Sequence, residues 1–329
     1  MTQSPDNIQK TPDAPAVYQP IYSGSAGKLF GIYIVNLFLK IITLFIYTFW
    51  AKTKMRRYLW SQVKLLNETF SYLGTGIELF KSYLKFSFLI VLPAFIVVTI
   101  IQLVLGSMGH KLLGMAITRI LLGVGIFILI YYAKYSGLRY RLGRTSWRGI
   151  RFELRGSPWV YLRIRFKNLV LNLLTLGLYK PRGDMAVLKY AVNNIYFGNI
   201  PFVYRGQLDE LKKSYFKYWL LIIPTLGISL VWYRAKYLAH LAKFTRFDNV
   251  EFRVPVTGGE LFWFYLANFF LLLFTVGLAF PYVIHRRMKF AAKRIKLRGA
   301  LDYEKIAQAQ KSSGGEGAEL YFGGDDFGL

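Results

Sequence analysis

Three stretches of this 329-residue chain are variants of one another: NLVLNLLTLGLYKP at residues 168–181, YWLLIIPTLGISLV at 218–231 and NFFLLLFTVGLAFP at 268–281. Each is apolar enough to enter a membrane, each is interrupted by threonine, an aliphatic residue and glycine, and successive copies lie 50 residues apart. Self-similarity at a fixed period constrains a fold more than any single motif, because one supersecondary unit must then be built several times. With Thr43, Thr175 and Thr225 as anchors, matching residues stand at identical offsets. These are Asn36, Asn168 and Tyr218, then Trp50, Arg182 and Trp232, then Phe70, Phe202 and Phe252, and last Glu78, Glu210 and Glu260. Thr275 opens a further copy that fades beyond Arg298. A partial copy lacks the threonine: Tyr132, Ala133, Lys134, Arg139, Tyr140 and Phe152 match Trp50, Ala51, Lys52, Arg57, Tyr58 and Phe70. The chain therefore reads as about five versions of one unit.

Each unit has four parts. An apolar helix comes first; Thr75-Gly-Ile-Glu78 and Thr257-Gly-Gly-Glu260 fit the capping box, in which threonine and glutamate each satisfy a backbone N–H. The break follows. Next is a basic amphipathic helix: between Tyr282 and Arg298, Ile284, Met288, Ala291 and Ile295 share one face and basic residues crowd the other, as in a helix lying in the membrane interface. A short alternating strand ends the unit, at Phe70-Ser71-Tyr72, Phe152-Glu153-Leu154, Phe202-Val203-Tyr204 and Phe252-Arg253-Val254. Single strands are unstable, so these should pair into a small surface sheet.

A hydrophobic content of 54% and a mean hydropathy of +0.32 fit a multi-pass membrane protein. The formal net charge is +26, and eight of the 17 acids lie in the two tails, leaving nine against about forty Lys and Arg between them. In a soluble chain such a balance suggests nucleic acid; beside apolar segments, retention of positive charge on the cytoplasmic face accounts for it, so the expected partners are anionic lipid headgroups and not nucleic acid. The absence of cysteine excludes disulfides and thiolate chemistry. The polar start has no signal-peptide core, which predicts a cytoplasmic N-terminus.

One passage per unit would alternate the basic helices between the two faces, whereas charge asymmetry and strand pairing both want them together. Parity thus favours apolar segments that re-enter. Only 12 uncharged residues separate Lys167 from Lys180, about 18 Å of helix against a core of about 30 Å. The alternative is a set of tilted, mildly kinked spans, and the 24 uncharged residues 261–284 are long enough for one. Residues 86–109 and 112–133 read as a true transmembrane hairpin inserted in the series. Within it, Arg119 is either a buried functional cation or, eight residues from Lys111, a side chain that snorkels to the outer surface. The fold class is accordingly an all-α polytopic membrane protein with short β-strands at the membrane surface. Residues 1–28 form a disordered polar tail, 29–80 the first unit, 81–133 the inserted hairpin, 134–298 tandem units, and 299–329 an acidic, Gly-rich, disordered tail.

The strings LFGIYIVNLFLKIITLFIYTFWAKTKMRRY and LLTLGLYKP, followed by F-x-Y-x-G, resemble the DUF898 or YjgN-like family of bacterial inner-membrane proteins. The resemblance runs over roughly residues 22–298 and is most specific at 36–52. It implies an inner-membrane location and supplies no activity. This chain departs from the pattern at Phe45, where glycine is usual, and at Tyr218, where asparagine is.

Little chemistry stands out. His110, His240 and His285 have no metal-ligand spacing, and no nucleophile or paired-carboxylate constellation occurs, so neither a metal, a cofactor nor an enzymatic activity is expected. Glu78, Glu210 and Glu260 suit helix starts, where negative charge complements the dipole. The strongest polar set is Asn36, Asn168 and Asn268 with Thr43, Thr175, Thr225, Thr275 and Arg119: either interhelical bonds or the lining of an intramembrane site. Lys52, Arg56, Arg57, Arg234, Lys236, Arg286, Arg287, Lys293 and Arg294 are candidate contacts to anionic lipid. Two functions follow: transport or handling of a small solute or lipid, with a continuous polar cavity on the asparagines as its mark, or a non-transporting scaffold, with a packed interior under a basic shelf.

Overall fold

A computed structural model describes residues 17–299. Helices arrive in pairs, and each pair is followed by short strands. The first four pairs are α1 (Ala26–Ile42) with α2 (Thr48–Ser61), α3 (Gly76–Phe86) with its partners, α6 (Pro158–Leu174) with α7 (Lys180–Asn193), and α8 (Leu208–Leu220) with α9 (Ser229–Phe244). The last is α10 (Gly258–Phe274) with α11 (Phe280–Arg294). In the second pair a π-helical turn, Ser87–Val91, carries α3 straight into α4 (Leu92–Ser107), and α5 (Lys111–Gly143) returns. The inserted transmembrane hairpin expected at 81–133 is therefore an elongation of one pair, drawn out at the point where the others break. It runs 76–107 and 111–143, the two helices among the described residues that are long and apolar enough to cross a bilayer.

The strands are β1 (Val17–Tyr18), β2 (Ile21–Tyr22), β3 (Val63–Leu65), β4 (Glu68–Tyr72), β5 (Thr145–Trp147), β6 (Ile150–Leu154), β7 (Ile195–Phe197), β8 (Ile200–Tyr204), β9 (Thr245–Phe247), β10 (Val250–Arg253) and β11 (Lys296–Arg298). They form one sheet of 11 strands, all antiparallel, in the order β1-β11-β10-β9-β8-β7-β6-β5-β4-β3-β2. The ends of that order, β1 and β2, are two halves of one N-terminal segment. Val17 and Tyr18 pair with Arg298 and Leu297, while Ile21 and Tyr22 pair with Lys64 and Val63. The sheet thus closes on itself, and Pro20, which has no N–H to give a ladder, sits between the two pairings. The small surface sheet read from sequence is a ring that every pair feeds, and its edges are removed by closure. Residues 17–28, expected as part of a disordered tail, supply the closing strand and the start of α1; the remainder of both tails, 1–16 and 300–329, lies outside the described residues.

Period-two alternation explains the ring's two faces. One face gathers Leu65, Trp147, Phe197, Phe247, Val250 and Leu297, all buried, with Phe70, Phe152, Phe202 and Phe252 packed on them. Neighbouring rings follow one another around the sheet, with Phe70–Trp147 at 6.1 Å, Phe152–Phe197 and Phe202–Phe247 at 4.7 Å, and Trp147–Phe197 and Phe197–Phe247 at 5.8 and 5.9 Å. The opposite face carries Lys64, Tyr196, Arg246 and Arg298. The returning helix of each pair packs on its own second strand, and α11 packs on β2 and on α1, so the helices also close a circle. The basic helices are the returning arms of the pairs, and the strands they lead into are fixed in the ring.

Truncating the shared aromatic core should cost far more than truncating the other face. Phe197→Ala is expected to lose about 3–5 kcal/mol, whereas Lys64→Ala, exposed on the outer face, should stay within about 0.5 kcal/mol of the parent, both read from thermal unfolding in detergent.

Candidate functional site

The recurring break is a tight turn bonded mainly within itself; at Leu176 and Gly177 the carbonyls also accept from Trp219 and Tyr215 of α8, at 3.1 and 3.0 Å. Thr43, Thr175, Thr225 and Thr275 donate their hydroxyls to the carbonyls of Leu39, Leu171, Leu221 and Leu271, at 2.7, 2.7, 2.5 and 2.7 Å. The same oxygens accept the amides of Tyr47, Tyr179, Ser229 and Ala279 at 3.0–3.1 Å, so one side chain ends one helix and starts the next. Two residues after the threonine, the amides of Phe45, Gly177, Gly227 and Gly277 reach back five residues to Lys40, Asn172, Ile222 and Leu272 at 2.7–2.8 Å. This is the long bond of a Schellman closure, which needs left-handed backbone. Gly177, Gly227 and Gly277 have φ of 90°, 83° and 83°, and the residues before them, Leu176, Leu226 and Val276, have φ of 48–49°. Those aliphatic residues are 81%, 93% and 91% exposed, and Leu44 is 83% exposed, so the tips present apolar side chains outward. The long pair ends alike: His110 N–H bonds Leu105 at 2.8 Å and Gly109 has φ of 79°.

Midway along the pairs sit the asparagines, all buried. Asn36 and Asn168 donate to the carbonyls of Ala51 and Gly183 on the returning helix, at 3.5 and 2.9 Å, and Asn268 has no bonded partner among the described residues. Each belongs to its own pair, and none lines a cavity described below. Arg119 is exposed near the tip of the long pair.

At the opposite end, each pair is clasped. Glu78 caps α3 and takes a two-pronged bond from Arg144 at 3.1 and 3.2 Å, with the Tyr140 hydroxyl at 3.1 Å. Glu260 caps α10 and takes Arg294 at 2.7 Å; the backbone bond from Thr257, then Arg294, hold its carboxyl below the usual range. Glu210 takes Lys243 at 2.8 Å, a bond that likewise lowers its pKa, and Nδ1 of buried His240 lies 3.5 Å away without hydrogen-bond geometry. Burial holds the His240 imidazole below its ordinary value, against the opposing pull of Glu210. The other two pairs use tyrosine: Tyr58 joins the backbone of Ser25, and Tyr190 that of Ser157. These clasps escape a reading of capping alone, although Tyr58, Tyr140, Tyr190 and His240 stand at one aligned position.

Several of the nine candidate lipid contacts are occupied within the fold. Arg56 bonds Tyr72 at 3.2 Å, Arg57 bonds the Gly74 carbonyl at 3.3 Å, Arg294 holds Glu260, and Arg234 and Arg286 lie over the rings of Tyr237 and Phe264. Lys52 and Arg287 are half-buried; Lys236 and Lys293 are exposed. A cleft of about 620 Å³ opens between the first pair and the start of α3. Ile32, Tyr47 and Trp50 line it along with Lys54, Arg57 and Ser61, so it joins apolar and cationic walls, and exposed Lys54 is a member that sequence reasoning missed. A second, mainly apolar cavity of about 270 Å³ lies among Trp60, Phe70, Leu142, Phe152 and Met288, with Thr145 as its one hydroxyl-bearing wall.

Apolar tips, a hairpin of spanning length and basic, clasped bases define a membrane protein. The family model for bacterial proteins of unknown function designated DUF898 matches residues 18–229 and 218–321, and the chain belongs to that family. It is 25% identical to the inner membrane protein YjgN of Salmonella typhimurium over 88% of this chain and 91% of that one. It is 34% identical to an Escherichia coli inner membrane protein YjgN over 43% of this chain and 33% of that one. No solved structure matches.

Phe45 occupies the glycine position of the first turn at φ of 67°. A side chain there costs about 1–2 kcal/mol of left-handed strain, so Phe45→Gly should stabilise the protein by about 1 kcal/mol, whereas Gly227→Val should destabilise it by at least as much. Thermal unfolding in detergent checks both signs.

Proposed function

We propose that the protein is a membrane-embedded scaffold of the bacterial inner membrane that holds anionic lipid headgroups at the bases of its helix pairs. The long hairpin crosses the bilayer, and the four shorter pairs enter and leave from one face. The observation that carries this reading is the separation within every pair: an apolar tip at one end, and at the other a clasp, carboxylate–cation in three pairs and tyrosine–backbone in two, fixed to a closed ring. A turn inside lipid must have its backbone partnered by protein, and here the threonine hydroxyls and the five-residue back-bonds supply partners within each turn, joined by Tyr215 and Trp219 at Gly177 and Leu176. Helices of 13–17 residues, the outgoing arms of the short pairs, reach about 20–25 Å, short of a core of about 30 Å.

The scaffold is favoured over transport by two features. Aromatic side chains fill one face of the ring, and Asn36 and Asn168 are spent on backbone carbonyls within their own pairs. The cleft at Trp50, Lys54 and Arg57 is the best seat for one lipid, with phosphate on the cations and chains along Ile32 and Tyr47. With basic segments retained inside, the ring and the N-terminus are cytoplasmic.

The chain has no cysteine, so single cysteines report topology without background. Replacements at Lys64, Arg148, Asn199 and Arg246 should all react with an impermeant reagent from the cytoplasmic side and Met108→Cys from the other; alternation among the first four would refute re-entry. For the lipid site, Lys54→Gln with Arg57→Gln should weaken binding of phosphatidylglycerol to the detergent-solubilised protein by about 1 kcal/mol per charge, while phosphatidylcholine binding is unchanged. Equal losses for both lipids, or none, would remove the cleft as a headgroup site.

A further inference from the structure

A cleft of about 710 Å³ opens on the ring at the β9–β10 hairpin, away from the clasped lipid cleft. Arg205, Lys243, Arg246 and Arg253 line it with one acid, Glu251, over an apolar floor that includes Phe244 and Pro255. Arg246 is paired with Glu251 at 2.9 Å and Lys243 with Glu210 at 2.8 Å. The side chains of Arg205 and Arg253 make no hydrogen bond or ion pair among the described residues, and both are exposed. The aligned position one hairpin earlier is filled differently. There Arg155 is closed by Glu153 at 2.9 Å and lies over the Tyr196 ring at 4.0 Å. The same scaffold position is thus neutralised in one hairpin and left cationic in the other.

We propose that this cleft is the docking surface of the chain's own acidic C-terminal segment, residues 300–329. The charge is complementary: Asp302, Glu304, Glu316, Glu319, Asp325 and Asp326 stand there against Lys305 and Lys311, six acids to two bases. Tyr321, Phe322 and Phe327 supply rings for the apolar floor. The delivery is also specific. β11 pairs with β10, placing Arg298 beside Glu251 and Lys296 beside Arg253. The chain then leaves through Gly299, at φ of 135° and so close to the β9–β10 turn that a Cβ would collide with the Asn249 carbonyl oxygen. Gly299, the last described residue, therefore lies against the turn of the hairpin whose strands carry the cleft. Strands lie about 4.8 Å apart, and the 19 residues that separate Gly299 from Ala318 can reach up to about 60 Å, so no part of the cleft is out of reach. Tethering makes docking intramolecular, with an effective concentration in the millimolar range. The tail then acts as a built-in competitor for any anion that approaches this face. The inference does not depend on the membrane reading above.

The test uses the full chain, which is free of cysteine. Ala318→Cys is combined with Val254→Cys in the cleft or with Arg148→Cys on a more distant turn of the ring, and disulfide formation is timed in nanodiscs of neutral lipid. The cleft pair should form about tenfold faster, as docking raises local concentration. The advantage should vanish when the six tail acids are replaced by Asn and Gln, or when Arg205→Gln and Arg253→Gln are introduced. Equal rates at the two positions, or an advantage that survives neutralisation, would overturn the proposal. Loss of the advantage in anionic-lipid nanodiscs alone would support it, since headgroups competing for the same cations would displace a docked tail.

Discussion

The threonine hydroxyl at each break bonds forward and backward at once, and the rest of the molecule depends on it. An unpaired peptide group in hydrocarbon costs several kcal/mol. A chain that turns around there must carry every partner with it. Thr175 takes the Leu171 carbonyl and the Tyr179 amide, and Gly177 closes the remaining long bond to Asn172. Four breaks repeat that geometry with the same side chain. With the threonine and glycine positions bonded within the turn, each pair presents aliphatic residues outward on its tip, and at the Thr175 turn Tyr215 and Trp219 of the next pair cap the Gly177 and Leu176 carbonyls as well.

What the turns leave open, the ring closes. Each pair packs against the next around the circle, α2 on α3, α5 on α6, α7 on α8, α9 on α10 and α11 on α1, and the pairs are fixed at their bases by carboxylate–cation or tyrosine–backbone clasps and by a sheet that admits no free edge. The N-terminal segment completes the circle, so the first and last elements of the chain are neighbours. One pair is stretched to spanning length without disturbing this plan, because its base keeps the clasp of Glu78 to Arg144 and its strands keep their places. The charge asymmetry follows from the same plan, since returning helices with basic faces all lead into one sheet.

The fold was legible in the sequence wherever local chemistry decides it. The threonine–glycine interval, the capping boxes at Thr75 and Thr257, and the alternation around Phe70, Phe152, Phe202 and Phe252 are all short-range signals. Closure was not, because it joins residues some 280 positions apart, and nothing near Val17 or Ile21 announces a partner at Leu297 or Lys64. The clasps were half legible: glutamates read as caps are caps, but Arg144, Lys243 and Arg294 blend into a surplus of basic residues. For the same reason the basic residues chosen as lipid contacts include several that are spent on the fold, whereas Lys54, Arg205 and Arg253 become apparent only once the clefts exist.

Depth within the bilayer tests the central claim most directly. Spin labels placed singly at Leu44, Leu176, Leu226 and Val276 in reconstituted bilayers should be relaxed by oxygen, which dissolves in hydrocarbon, and not by a water-soluble nickel chelate added to either side. A label at Met108 should respond to the chelate on the side opposite the ring. Relaxation of the four tip labels by chelate from that opposite side would mean that the short pairs span the membrane, and would contradict the account.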